Sequence, residues 1–188
     1  GKRVDLLGSD IQDWRITFVD TGLNSNIGQR LKAVQPFLQG EETFLANYGD
    51  GLTNLPLPEM IDFFESRKAV ACFLGVTPTS SFHLVETGEA GQVKSIRHVR
   101  DVGMLVNGGF FILRQAIFDY LREGEELVEE PFQRLAAEGK LLAYPFGGFW
   151  ACMDTFKERQ LLEDMYSRGR PPWEVWRNGP RIDQGGSK

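Results

Sequence analysis

The sequence predicts an α/β protein with a mixed, mostly parallel sheet flanked by helices, and three observations carry this. Ala69 to Val76 is an uninterrupted run of small and apolar residues, the pattern of a strand buried on both faces. It follows directly on a helical pattern from Glu59 to Arg67 carrying Met60, Ile61, Phe63 and Phe64, so the two read as part of a βαβ unit. Gly49-Asp50-Gly51 lies just past another strand-like segment, where open α/β sheets bind ligands at the carboxyl ends of their strands.

Taken in order, Trp14 to Val19 alternates bulky and polar residues and predicts a strand entering a loop at Asp20-Thr21-Gly22, which Asn24, Ser25 and Asn26 prolong. Leu31, Val34, Phe37 and Leu38 recur at helical spacing and predict an amphipathic helix over 28–38. Thr43 to Tyr48 reads as a strand that Gly49-Asp50-Gly51 ends, and Pro56 and Pro58 prepare the helix from Glu59. Ser81 to Ile96 predicts a hairpin around Thr87-Gly88-Glu89-Ala90-Gly91. Met104 to Leu113 reads as a strand broken by Gly108-Gly109, for which close approach of the backbone to a ligand is one reason. Ile117 to Leu121 and Glu129 to Glu138 are helical, Leu141 to Tyr144 is extended, and Phe156 to Arg168 is an amphipathic helix with Leu161, Leu162 and Met165 inward. No polar linker divides the chain, so a single domain is expected over 1–188, with 177–188 as a flexible tail.

Composition narrows the function. A hydrophobic fraction of 41% and a charged fraction of 25% are those of a folded soluble protein. The longest apolar stretches, such as Gly108 to Leu113, are far shorter than the roughly 20 residues that cross a bilayer, and no signal segment opens the chain, so a cytoplasmic protein without membrane contact is expected. The net charge of −5, with no concentrated basic run, argues against nucleic acid as partner while leaving room for a small anionic ligand. Cys72 and Cys152 have no C-x-x-C spacing and are expected to be buried free thiols.

Asp50 and Asp154 are the leading candidates for chemistry, because each follows a strand-like segment. Two carboxylates converging on one crevice could hold Mg²⁺, which takes one or two carboxylates plus substrate phosphates. Each also has a plainer reading: Asp50 as part of a turn, Asp154 as the cap of the helix beginning near Phe156.

Four segments occur in order: Phe18-Val19-Asp20-Thr21-Gly22, Tyr48-Gly49-Asp50-Gly51, Asn107-Gly108-Gly109-Phe110-Phe111, and Gly148-Phe149-Trp150-Ala151-Cys152-Met153-Asp154-Thr155. With Pro171-Pro172-Trp173-Glu174-Val175-Trp176 they make the chain resemble the glucose-1-phosphate cytidylyltransferase family from about Trp14 to Trp176. The resemblance implies a Rossmann-like nucleotidyltransferase fold and transfer of a nucleotidyl group from CTP to glucose 1-phosphate with release of pyrophosphate. It also implies Mg²⁺ as cofactor, a homo-oligomer, and a role in making activated sugars for polysaccharide synthesis. By resemblance Asp50 and Asp154 hold the metal and, with Arg30, carry catalysis. Ser25, Arg30 and Gly49 contact the nucleotide, and Asn107, Gly108 and Glu129 the sugar, although a Glu-rich helix start explains Glu129 and Glu130 equally well.

The sequence departs from the family in three places. The glycine-rich G-x-G-T-R loop and its downstream lysine, which wrap a triphosphate, are not among the 188 residues, so the family's first strand–helix units are expected to be missing. Ser95 to Arg100 stands where the family has E-K-P, with Arg97, His98 or Arg100 as the available cations. Pro78-Thr79-Ser80-Ser81-Phe82-His83 replaces P-P-G-R-F-G, which implies a reshaped sugar pocket. These departures keep open another sugar phosphate as substrate, and a non-catalytic sugar-phosphate or nucleotide-binding or assembly module.

Overall fold

The protein is described by a computed structural model covering residues 14–79, 81–169 and 171–177. Its main sheet contains β1 (Thr43–Asn47), β3 (Ala71–Val76), β6 (Val106–Arg114) and β7 (Leu141–Phe146), in the order β1-β6-β3-β7. β6 is antiparallel to both β1 and β3, whereas β3 and β7 are parallel. Three strands therefore point one way and β6 runs against them, so the sheet is mixed, as expected. This orientation brings Tyr48, Thr77 and Gly147, which follow the three co-directed strands, to the edge where β6 begins at Val106 and Asn107.

β3 is buried on both faces because helices cover both. Ala71 and Phe73 face a cluster with Leu31, Phe111, Leu113, Phe132 and Leu135, drawn partly from α1 (Ile27–Val34) and α3 (Glu130–Ala137). Cys72, Leu74 and Val76 face the opposite cluster, with Met60 and Phe64 of α2 (Leu57–Glu65) and Ile112. Met60 and Phe64 are wholly buried, and sequestering a side chain of this size contributes about 1.5–3 kcal/mol.

Two small ladders complete the structure. β4 (His83–Thr87) and β5 (Val93–His98) form the expected hairpin. β2 (Gly51–Thr53) pairs with β8 (Trp150–Cys152), and α4 (Phe156–Ser167) follows β8.

Several expectations are corrected. Trp14 to Val19 is in no strand, since it finds no hydrogen-bonding partner among the described residues, and Trp14, Ile16 and Phe18 are exposed. The helix expected over 28–38 is α1 followed by a 3-10 turn, Gln35–Leu38, because Pro36 has no N–H to continue an α-helix. The helix expected at 117–121 is likewise a 3-10 turn, Gln115–Asp119. On α4 Leu162 is buried, Met165 is half-buried and Leu161 is exposed. Both thiols are free, but Cys152 is only half-buried. The expected flexible tail lies outside the described residues from position 178 onward. Among the described residues no helix is long and apolar enough to cross a membrane.

Candidate active site

The ladder register of β2 and β8 places the two candidate carboxylates. Gly51 pairs with Cys152, and the Met153 N–H donates to the Asp50 carbonyl at 3.1 Å, so Asp50 and Asp154 leave the same end of the ladder on its two strands. The ladder is extended at its other end, where the Thr53 hydroxyl donates to the Phe149 carbonyl (2.9 Å) and the Phe149 N–H donates to Asn54 Oδ1 (2.8 Å). Asp154 is not the helix cap. Thr155 takes that place in a capping box, its Oγ1 accepting from the Glu158 N–H while Glu158 reaches back to the Thr155 N–H. The Asp154 carboxylate instead accepts from the Cys152 thiol at 3.2 Å. Burial, and then Asp154 itself, push that thiol up to about 11, which keeps it protonated near neutrality.

Beside this ladder the β6 strand bulges. Its register against β3 jumps from Phe73↔Phe111 to Gly75↔Asn107, leaving extra residues at Gly108-Gly109. Both glycines are places of close approach, Gly109 to the Tyr48 side chain and Gly108 to the Leu74 carbonyl and the Trp150 indole. A Cβ on Gly109, whose φ is +74°, would lie 2.5 Å from Tyr48 Cδ2, and one on Gly108 would lie 3.2 Å from Trp150 Nε1. Hydrogen bonds hold the bulge: the Tyr48 N–H donates to Gly109 O (2.8 Å), the Gly109 N–H to Asn107 Oδ1 (2.9 Å), and the Trp150 indole to Gly108 O (2.8 Å). The Tyr48 phenol is pushed up chiefly by burial, with Asn107 beside it working against that shift. Asn107 and Gly108 are thus packed between the segments that carry Asp50 and Asp154.

Beside β1, a cleft of about 240 Å³ is lined by Thr21, Arg30, Val34, Asn47, Tyr48 and Leu127, among others. Arg30 is held over the preceding loop, its Nε donating to the Ser25 carbonyl at 2.8 Å and Nη2 to the Leu23 carbonyl at 3.4 Å. The Ser25 hydroxyl donates to the Thr21 carbonyl. The Ser25 and Arg30 segment and the Gly49 turn therefore flank one cleft through Arg30 and Tyr48. Glu129 is exposed at the start of α3, makes no side-chain capping bond, and is not hydrogen-bonded to Asn107 or Gly108.

The candidate cations on the hairpin are placed less centrally. Arg97 and Arg100 are exposed, and Arg100 Nη2 donates to the Thr79 carbonyl at 3.2 Å. His98 packs edge-on against His83 with ring centroids 5.0 Å apart, and its Nδ1 accepts from the Arg100 N–H.

Asp50 and Asp154 are exposed oxygen donors of the hard type that Mg²⁺ selects. The three-donor group that the geometry gathers is Cys152, Asp154 and Glu158, with ligand atoms within 4.8 Å of one another; Asp50 is outside it. Two carboxylates are nevertheless enough for a cation that completes its shell with water and phosphate oxygens, so the residues present fit Mg²⁺. Tyr48, Trp150 and Glu158 are not visible as site residues in the sequence. The available signals are an aromatic residue ahead of Gly-Asp-Gly and a Glu three positions after Thr155.

The sequence relatives, not the mixed sheet or its carboxylates alone, place the chain by class among the sugar-1-phosphate nucleotidyltransferases. It is 34% identical over 176 residues to the glucose-1-phosphate cytidylyltransferase of Salmonella typhi, covering 93% of this chain and 68% of that one. It is also 35% identical over 175 residues to a probable glucose-1-phosphate cytidylyltransferase of Bacillus subtilis. The chain belongs to the glucose-1-phosphate cytidylyltransferase family. In structure it resembles HddC from Yersinia pseudotuberculosis, with a TM-score of 0.55 at 16% identity over 75% of this chain and 62% of that one. A Bacillus anthracis protein described as a glucose-1-phosphate thymidylyltransferase gives 0.54 at 15% identity, over 74% of this chain and 60% of that one. The chain thus spans about three fifths of the length of these two structures. No family model matches it.

Proposed function

We propose that the protein transfers a cytidylyl group from CTP to glucose 1-phosphate, giving CDP-glucose and pyrophosphate. The observation that carries this is the β2–β8 register, which delivers Asp50 and Asp154 to one end of a ladder, beside a bulge that presents Asn107. A sugar phosphate oxygen attacks the α-phosphorus in line and pyrophosphate leaves, so no protein nucleophile is needed and the residues act by positioning and charge. Asp50 and Asp154 would hold Mg²⁺, which would supply neutralisation of charge on the phosphate oxygens. Asn107 orients sugar hydroxyls, Arg30 adds positive charge beside the nucleotide cleft, and Ser25 and Gly49 border it.

The altered segment at Thr79, Ser80, Ser81, Phe82 and His83 favours a second reading, the same transfer to a different sugar 1-phosphate. A pyrophosphate-release assay with a panel of sugar 1-phosphates and the common nucleoside triphosphates separates the two. Turnover confined to CTP and glucose 1-phosphate supports the first and turnover of another sugar the second. Binding without turnover of any pair would favour a non-catalytic binding module.

A further inference from the structure

Trp150 occupies a place in the site that the proposed transfer does not by itself require. Its indole N–H donates to Gly108 O at 2.8 Å, across 42 positions of sequence, and Gly108 is buried. A Cβ on Gly108 would meet Trp150 Nε1 at 3.2 Å, Leu74 O at 3.1 Å and Val76 Cγ1 at 3.2 Å, so the bulge is pressed against β3 on one side and the indole on the other. Trp150 opens β8, and Asp154 follows that strand. On the far side of the bulge Tyr48 grips Gly109, its N–H bonded to Gly109 O at 2.8 Å, and Asp50 follows Tyr48 by two positions. One hydrogen-bonded chain thus runs from the Asp154 strand through Gly108 and Gly109 to the Asp50 turn, with Asn107 at its centre.

We infer that Trp150 is a positioning residue, a clamp that fixes the Asn107-bearing bulge relative to the two carboxylates and so sets affinity for the sugar phosphate rather than for the nucleotide. This rests on the proposed function, since it takes Asn107 as a sugar contact. The physical reason is that a bulge interrupts the ladder that would otherwise fix the strand, so its position depends on bonds from outside the strand. Removing the indole N–H leaves a buried carbonyl unpaired, and the bulge relieves this by moving. Displacements of this kind near reacting groups carry large consequences, because productive geometry tolerates only fractions of an ångström.

Trp150→Phe retains a ring and deletes the donor. Calorimetric titration of the protein with glucose 1-phosphate and, separately, with CTP, alongside steady-state kinetics, provides the test. The expected result is a Kd and KM for glucose 1-phosphate raised about tenfold, with those for CTP within about twofold and a melting temperature within about 3 °C of the parent. Unchanged affinity for glucose 1-phosphate would overturn the inference and leave the proposed function standing. Parallel losses of both affinities and of the melting temperature would also overturn it, by making Trp150 a structural residue only. A parent that binds neither ligand would refute the function and the inference together. If Trp150→Phe does not fold, Trp150→Tyr, which also lacks the indole N–H, is judged by the same split.

Discussion

Gly109→Ala is the perturbation whose consequence the structure fixes most closely. Gly109 has φ +74°, in the left-handed region, where an alanine costs about 1–2 kcal/mol. The added Cβ would also lie 2.5 Å from Tyr48 Cδ2, 3.1 Å from Cγ and 3.3 Å from Cβ. Tyr48 has little freedom to retreat, because its ring packs edge-on against Phe111 at 5.2 Å and its N–H is bonded to the Gly109 carbonyl. Overpacking of this kind costs about 1–3 kcal/mol more, for a total of about 2–5 kcal/mol. In a chain of 188 residues that corresponds to a fall of roughly 4–20 °C in melting temperature. Gly139→Ala is the control, since Gly139 has φ +66° with nothing within 4 Å of the added carbon, and bears only the left-handed term. Thermal melts of both variants, followed by circular dichroism, make the comparison. A Gly109 variant no less stable than the Gly139 variant would refute the argument that the glycine is there to admit Tyr48.

Three further outcomes follow from the same geometry. Thr155→Ala removes the α4 cap and is expected to lower stability by about 1 kcal/mol, measured by urea denaturation, and to raise the metal concentration needed for turnover because Asp154 adjoins the cap. The Arg134 guanidinium, bonded to both oxygens of Glu125, holds that carboxyl down at about 2 against an ordinary 4.5. The stabilisation is therefore complete above pH 4.5 and lost as pH falls towards 2, so Glu125→Gln should melt with a flatter pH profile across that window. Chelation of divalent metal should stop pyrophosphate release while leaving the circular dichroism spectrum unchanged, and restored Mg²⁺ should recover the rate.

Most of the framework was legible because its signals are local. The apolar run through β3, the turn chemistry of Thr87 to Gly91 and the helical spacing of Met60 and Phe64 each identify an element without knowledge of the rest. What escaped depends on partners. β2 and β8 are three residues each, too short for any periodicity, yet their pairing is what brings Asp50 and Asp154 together. Trp14 to Val19 has the alternation of a strand, but alternation does not supply a neighbouring strand to bond with. Asp154 reads as a helix cap by type, and only the geometry shows that its neighbour Thr155 does the capping. The Gly108-Gly109 pair was visible as a place of close approach, whereas the identity of what approaches, Tyr48 and Trp150, is a property of the tertiary structure.

Asp50 and Asp154 are predicted to act as one metal-binding unit in nucleotidyl transfer. The most direct test is the rate of pyrophosphate release from CTP and glucose 1-phosphate in Asp50→Asn, Asp154→Asn and the double variant. Each single change is predicted to lower the rate on the order of 100-fold or more, with the double variant scarcely worse than either, because residues acting as a unit are non-additive. Independent, multiplying losses, or a single variant that retains the parent's rate, would contradict the account.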